Sequence, residues 1–80
     1  MDRQSIKEQL LKIANARLET NIQDINENDK LIESLGLDSL NITTLIIEIE
    51  EHFHFEFSED ELLKITDAKS LLDMIEPKVN

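Results

Sequence analysis

The sequence has no cysteine, tryptophan or tyrosine, and holds a single glycine and a single proline in 80 residues. Without cysteine there is no disulfide framework and no thiolate metal site, so a reducing, cytoplasmic setting is expected. Scarce glycine and proline, with few alternating β-branched runs, leave little to interrupt helices and predict an all-α domain. No apolar run approaches the ~20 residues that a membrane-spanning helix needs. The stretch from Met1 to Gln9 is polar and charged, so neither secretion nor membrane insertion is expected.

Basic residues are also few: 8 Lys and Arg face 18 Asp and Glu, for a net charge of -10. A chain this acidic is repelled by a phosphate backbone, which argues against nucleic-acid binding. It suits fast, salt-sensitive docking against basic patches on proteins, or the acidity only keeps a small domain soluble. Composition alone does not separate the two. Hydrophobic residues make up 40% of the chain, and their regular spacing argues against disorder.

Ile6, Leu10, Ile13, Ala14 and Leu18 recur at helical spacing and predict a first helix from Gln4 to about Leu18, capped by Ser5 or Asp2. From Glu19 to Leu37 a polar loop follows, punctuated by Ile22, Ile25, Leu31, Ile32, Leu35 and Leu37. These apolar anchors predict an ordered, packed loop with a short helical turn. Asp38 is a good N-cap for a second helix ending near His52 or Phe53, with Gly36 before it permitting a tight approach. A short third helix spans Ser58 or Glu59 to Lys64. A fourth, capped by Thr66 or Asp67, runs through Ile75, and Pro77 ends the fold. The expected architecture is a single-domain four-helix bundle with a long first loop and a short third helix.

The second helix is apolar on two sides. Ile42, Leu45, Ile46, Ile49 and Phe53 form an ordinary core stripe. Leu40, Thr43, Thr44 and Ile47 form another face with little charge, beginning beside Ser39. A helix of this kind is either wholly buried, or buried on one side and adhesive on the other. In so small a bundle the second arrangement, a partner-binding face, is favoured.

Ser39 itself falls at the first position of that helix, just after the capping Asp38. There the hydroxyl is exposed, and a phosphate on it would meet free N–H groups and the positive end of the helix dipole. A serine after an N-cap is common, and by itself carries little signal. Hydrolytic catalysis is poorly supported. Ser39 lacks the Gly-x-Ser-x-Gly elbow, and His52 and His54 lie roughly 20 Å away along the same helix at ~1.5 Å per residue.

The run Leu31-Ile32-Glu33-Ser34-Leu35-Gly36-Leu37-Asp38-Ser39-Leu40, the later Ile49-Glu50-Glu51-His52-Phe53, then Phe57-Ser58-Glu59-Asp60-Glu61 and Lys64-Ile65-Thr66 together resemble the acyl carrier protein family over nearly the whole chain. The resemblance implies a non-enzymatic carrier with 4'-phosphopantetheine, taken from coenzyme A, attached covalently to Ser39. It implies a phosphopantetheinyl transferase, acyl- or aminoacyl-loading enzymes and synthase or tailoring enzymes with basic patches as partners of a monomeric chain. Asp38, Leu40, Thr43, Thr44 and Ile47 fall where the family docks. Ile42, Leu45, Ile46, Ile49, Phe53 and Leu62 are the expected core and cargo-cavity positions. Fatty-acid carriers usually carry acidic residues where this chain has Asn41 and Thr44, which shifts weight toward a specialised, polyketide-like pathway. An aminoacyl or peptidyl carrier, or an unmodified interaction module, are the alternatives.

Other signals carry less. Asp24 to Asp29 is similar to the start of an EF-hand loop, but Asp29 stands where glycine is needed and Leu35 where the bidentate glutamate is needed. His52 and His54 at a polar helix end read as solvated side chains and not metal ligands. Asn41-Ile42-Thr43 is formally a glycosylation acceptor, but no secretory signal accompanies it. Phe53, Phe55 and Phe57 read as core and a lid over the cavity, because the basic neighbours that nucleic-acid stacking requires are missing.

Overall fold

A computed structural model describes residues 2–18 and 20–79 of the chain. Its four helices are α1 (Arg3–Arg17), α2 (Ser39–Phe53), α3 (Glu59–Lys64) and α4 (Ala68–Val79). The expected all-α bundle, long first loop and short third helix are all present. Among the described residues the only strand-like feature is an isolated antiparallel bridge between Lys30 and Asp67.

Local chemistry sets most of the boundaries. The Asp2 carboxylate accepts from the backbone N–H of Ser5 at 2.8 Å, so Asp2 caps α1 and Ser5 lies inside it. Ser58 and Glu61 form a reciprocal capping box at the start of α3. The Asp67 carboxylate receives the N–H of Ser70 at 2.8 Å, which makes it, and not Thr66, the cap of α4. The expectation that Pro77 ends the fold is corrected, since α4 continues through Pro77 to Val79. In the last turn of a helix a proline removes one intrahelical donor but has little helix left to break.

The core gathers Ile6, Leu10, Ile13 and Ala14 from α1, Leu45 and Ile49 from α2, and Ala68, Leu71, Leu72 and Ile75 from α4. Ile25, Leu31 and Leu37 from the first loop and Phe57 from the α2–α3 connection complete it. The loop is thus a packed element, although Ile32, expected as one of its anchors, is 58% exposed. Phe53 and Phe55 are half-buried against the same cluster, and Phe55 meets Phe57 edge-on with centroids 4.9 Å apart.

Polar contacts fix the loop's path. Asn15 accepts from Ile22 N–H and from Thr20 Oγ1 and donates to the Ile22 carbonyl, a hub that ties the loop's start to α1. Further along, Leu31 N–H donates to Thr66 O, Ala68 N–H to Asp29 O, and Lys69 N–H to Glu27 O, which ties the loop to the α3–α4 junction. Arg3 then joins three segments: its guanidinium meets Glu27 in the loop, Asp73 at 2.8 Å and Glu76 at 3.0 Å in α4.

Gly36 has φ of +71, a left-handed conformation that side chains resist. Its N–H bonds Ile32 O and closes the helical turn of residues 31–35. No neighbour lies within 4 Å of where a Cβ would stand, so backbone conformation, and not the expected tight approach, is what calls for glycine here. His54, the C-cap of α2, takes the same left-handed conformation with a side chain attached.

The Arg3 network predicts both a mutational and a pH effect. Arg3→Gln should lower unfolding free energy by about 1–2 kcal/mol, more than a single surface pair, because one side chain holds three carboxylates. Asp73 is depressed below the ordinary carboxylate range by Lys69 and Arg3, and Asp2 and Asp67 by the N–H groups they cap. A depressed folded-state pKa stabilises above the unfolded value near 4, and that contribution is lost as pH falls through the lower folded values. Thermal melts between pH 7 and pH 2 should therefore show the main loss below about pH 4. In Arg3→Gln part of that loss should disappear.

Candidate functional site

The start of α2 is built by two reciprocal hydrogen bonds. The Asp38 carboxylate accepts from Asn41 N–H at 2.7 Å, and the Asn41 side-chain oxygen accepts from Asp38 N–H at 3.3 Å. Asp38 is extended, so the chain enters the helix sharply and Ser39 occupies the first helical position, exposed. The first bond of the α2 ladder runs from Ile42 N–H to Asp38 O. Among the described residues the N–H groups of Ser39 and Leu40 have no partner. An exposed hydroxyl beside two free donors at the positive end of a helix dipole suits a phosphodiester.

The two faces of α2 diverge as the periodicity requires. Leu45 and Ile49 are buried, with Ile42, Ile46 and Phe53 half-buried against the core. On the other side Leu40 is 73% and Ile47 47% exposed, and Thr43 is exposed with its hydroxyl donating to Ser39 O. Thr44 is half-buried and so is Asn41. Neither stands free in solvent as Leu40 does, and Asn41 is committed to the cap. Leu62, expected among the core and cavity positions, lies outside the buried cluster at 38% exposure, because α3 contributes no buried residue.

A groove of about 330 Å³ is lined by Lys30, Ile32, Glu33, Ile42, Ile65, Thr66 and Asp67. Its α2 wall is Ile42, one turn along the helix from Ser39, and Ile65, Thr66 and Asp67 form its wall from the α3–α4 junction. Its wall from the first loop was not foreseen, because the backbone bonds that carry Lys30 and Ile32 to Thr66 join segments distant in sequence. Another groove, of about 390 Å³ between α1 and α2, has His52 and Arg17 on its walls. It lies toward the far end of α2, where Arg17 pairs with Glu48 and His52 contacts Gln9. No group of His, Asp or Glu suited to hold a metal ion occurs among the described residues.

The carboxylate next to Ser39 is engaged in capping, and His52 and His54 lie at the opposite end of α2. The exposed serine at the start of α2 stands on the same helix as the exposed apolar side chains of Leu40 and Ile47. The family described as "Phosphopantetheine attachment site" matches residues 8–75. An acyl carrier protein of Coprothermobacter proteolyticus is 33% identical over 76 residues, covering 95% of this chain and 93% of that protein. One from Nitratidesulfovibrio vulgaris is 32% identical over 74 residues, covering 92% and 97%. A solved structure from Mycobacterium tuberculosis, assigned as an acyl carrier protein, superposes with a TM-score of 0.80 at 25% identity, over 90% of this chain and 96% of that one.

The chain belongs to the acyl carrier protein family. It is a carrier and not an enzyme, its cofactor is covalent 4'-phosphopantetheine, and its partners include a phosphopantetheinyl transferase and biosynthetic enzymes. When bound, that group supplies a flexible arm with a terminal thiol able to hold acyl groups as thioesters.

The cap can be tested apart from any modification. Asp38→Ala removes the acceptor for Asn41 N–H and should cost about 1 kcal/mol in chemical denaturation. Ser39→Ala should cost far less, because the Ser39 hydroxyl holds no cap. Equal losses in the two variants would contradict the capping geometry.

Proposed function

We propose that Ser39 is the residue that bears the phosphopantetheine arm, that Asp38, Leu40, Thr43, Thr44 and Ile47 form the docking face, and that this monomeric, cytoplasmic chain carries acyl groups in a specialised, polyketide-like pathway. The observation that carries the attachment site is the exposed Ser39 hydroxyl at the first position of α2, next to two unpartnered N–H groups. Asp38 is occupied as a cap, so the base that takes the Ser39 proton during attachment comes from the transferase. Ile42, Leu45, Ile46, Ile49 and Phe53 give the helix its anchored side, which keeps the Ser39 end fixed while partners exchange on Leu40 and Ile47.

Intact mass after incubation with coenzyme A and a broad-specificity phosphopantetheinyl transferase tests the attachment. The wild type should gain one phosphopantetheinyl group and Ser39→Ala none, with an unchanged melting temperature. A mass gain retained in Ser39→Ala would move the site. No gain in the wild type would leave an unmodified interaction module as the better reading.

The pathway is read from Asn41 and Thr44, which are neutral where fatty-acid carriers are usually acidic. Rim charges mainly set encounter rate and register. Asn41→Asp with Thr44→Glu should therefore raise acyl transfer to a fatty-acid ketosynthase by about tenfold at low salt. The aspartate keeps an oxygen for the Asp38 N–H, so the cap survives. A wild-type rate already equal to that of an authentic fatty-acid carrier would defeat the specialised-pathway reading.

A further inference from the structure

The first turn of α2 must meet the negative charge of a phosphodiester without a cation of its own. No Lys or Arg occurs in the sequence between Lys30 and Lys64. Lys30 pairs with Glu33 at 3.7 Å, and His52 and His54 stand at the other end of the helix. The carboxylate beside Ser39 makes matters worse. Asp38 is held at the cap by Asn41 N–H at 2.7 Å, so it meets an anion on the next residue as a fixed like charge. Neutral donors on that turn have to offset it.

Two such donors are the free backbone N–H groups of Ser39 and Leu40. Of the hydroxyls, Thr43 is already committed, donating to Ser39 O at 2.9 Å. Asn41 is different. Its Oδ1 accepts from Asp38 N–H at 3.3 Å, which fixes the carboxamide and makes its other arm the NH2. Among the described residues that NH2 has no hydrogen-bond partner. The third helical position of a capping box ordinarily carries Glu or Gln, and a carboxylate there would accept the same N–H. It would also place a second negative charge in the turn that begins at Ser39. Unit charges a few ångströms apart near a protein surface repel by more than thermal energy. A carboxylate at this position would keep the cap and push the phosphate away.

We propose that Asn41 is a positioning residue for the phosphopantetheine arm: its Oδ1 closes the cap of α2, and its NH2 donates to a phosphodiester oxygen carried by Ser39. This rests on the reading that Ser39 bears the arm. One uncharged side chain thereby serves cap and arm together, and the arm leaves the helix from a fixed origin beside Asp38.

The test compares wild type and Asn41→Asp, each with and without the arm, the modified forms made with coenzyme A and a phosphopantetheinyl transferase. The aspartate keeps an oxygen for Asp38 N–H, so the cap is common to all four samples. The change in melting temperature on attachment should be lower in Asn41→Asp than in wild type by about 4 °C at low salt. Taking that difference cancels whatever the substitution does to the unmodified fold. In wild type, the side-chain amide protons of Asn41 should move downfield in NMR spectra on attachment, a signature that a cap alone would not give. Unmoved Asn41 amide signals overturn the proposal, whatever the melts show. An attachment effect equal to within about 1 °C in the two proteins overturns it as well, and leaves Asn41 as a cap only. The mass gain of the wild type and its loss in Ser39→Ala are read first. Their failure refutes the Ser39 reading, whereas a normal mass gain with unmoved amide signals refutes the role of Asn41 alone.

Discussion

The start of α2, where Asp38 and Asn41 exchange hydrogen bonds, is the constraint on which the carrier geometry turns. A helix whose first residue must stay at the surface cannot rely on packing to hold that end, so the backbone there needs local satisfaction. Asp38 and Asn41 supply it, and in doing so they leave the N–H groups of Ser39 and Leu40 free. A cap that bonded those donors instead would stabilise the helix equally well, but it would remove what makes Ser39 suited to a phosphodiester. Further along, Leu45 and Ile49 bury deeply and fix the direction of the axis. Leu40 and Ile47 are consequently held outward on a rigid support, where an apolar contact with a partner costs little ordering entropy.

The long first loop makes that arrangement possible. It has to return the chain from the end of α1 to the start of α2 without covering Ser39. Three apolar residues, Ile25, Leu31 and Leu37, are driven into the core, and the segment between them bonds by its backbone to the α3–α4 junction. Gly36 then turns the chain with a positive φ into the extended Asp38. The same path brings Lys30 and Ile32 together with Ile65 and Thr66 and so builds the groove whose α2 wall is Ile42. Loop and site are one construction.

Much of this was legible in the sequence because it is governed by short-range rules. The periodicity of Ile6, Leu10 and Ile13 and of Leu45 and Ile49 marked the buried sides of α1 and α2, and Asp38 and Ser58 marked helix starts. The divergence of Leu40 and Ile47 from the core stripe followed from the same 3.6-residue period. What escaped depends on contacts between distant segments. Asn15 as a hub for the loop, Arg3 as a joint between three segments, and the groove wall from Lys30 to Glu33 have no local signature. Leu62 was misplaced for a related reason. A leucine in a six-residue helix reads as core by composition, yet α3 is anchored at its ends, through Ser58 and Lys78, and not by its face. Pro77 was read as a terminator by its residue type alone, while its effect depends on how much helix follows.

Charge is where function and stability pull against each other. Eighteen carboxylates on a chain of 80 residues give partners a field to follow, and they also repel one another within the fold. Three of the chain's eight Lys and Arg side chains pair with carboxylates of another segment. Arg3 binds carboxylates from the loop and α4, Arg17 binds Glu48 across α1 and α2, and Lys78 binds Glu61 across α4 and α3. Each of these pairs joins two segments, so a single cation offsets repulsion and fixes tertiary geometry together. The carboxylates left without a cation include Asp38 beside Ser39 and Glu59 and Asp60 beside Leu63, next to the exposed apolar side chains of α2 and α3. Neutralising them internally would offset more of the repulsion but would weaken the acidic field that steers oppositely charged surfaces toward the domain. The ion pairs of Arg3, Arg17 and Lys78 therefore hold the seams between segments, while exposed carboxylates such as Asp38, Glu59 and Asp60 keep the acidic field of the surface.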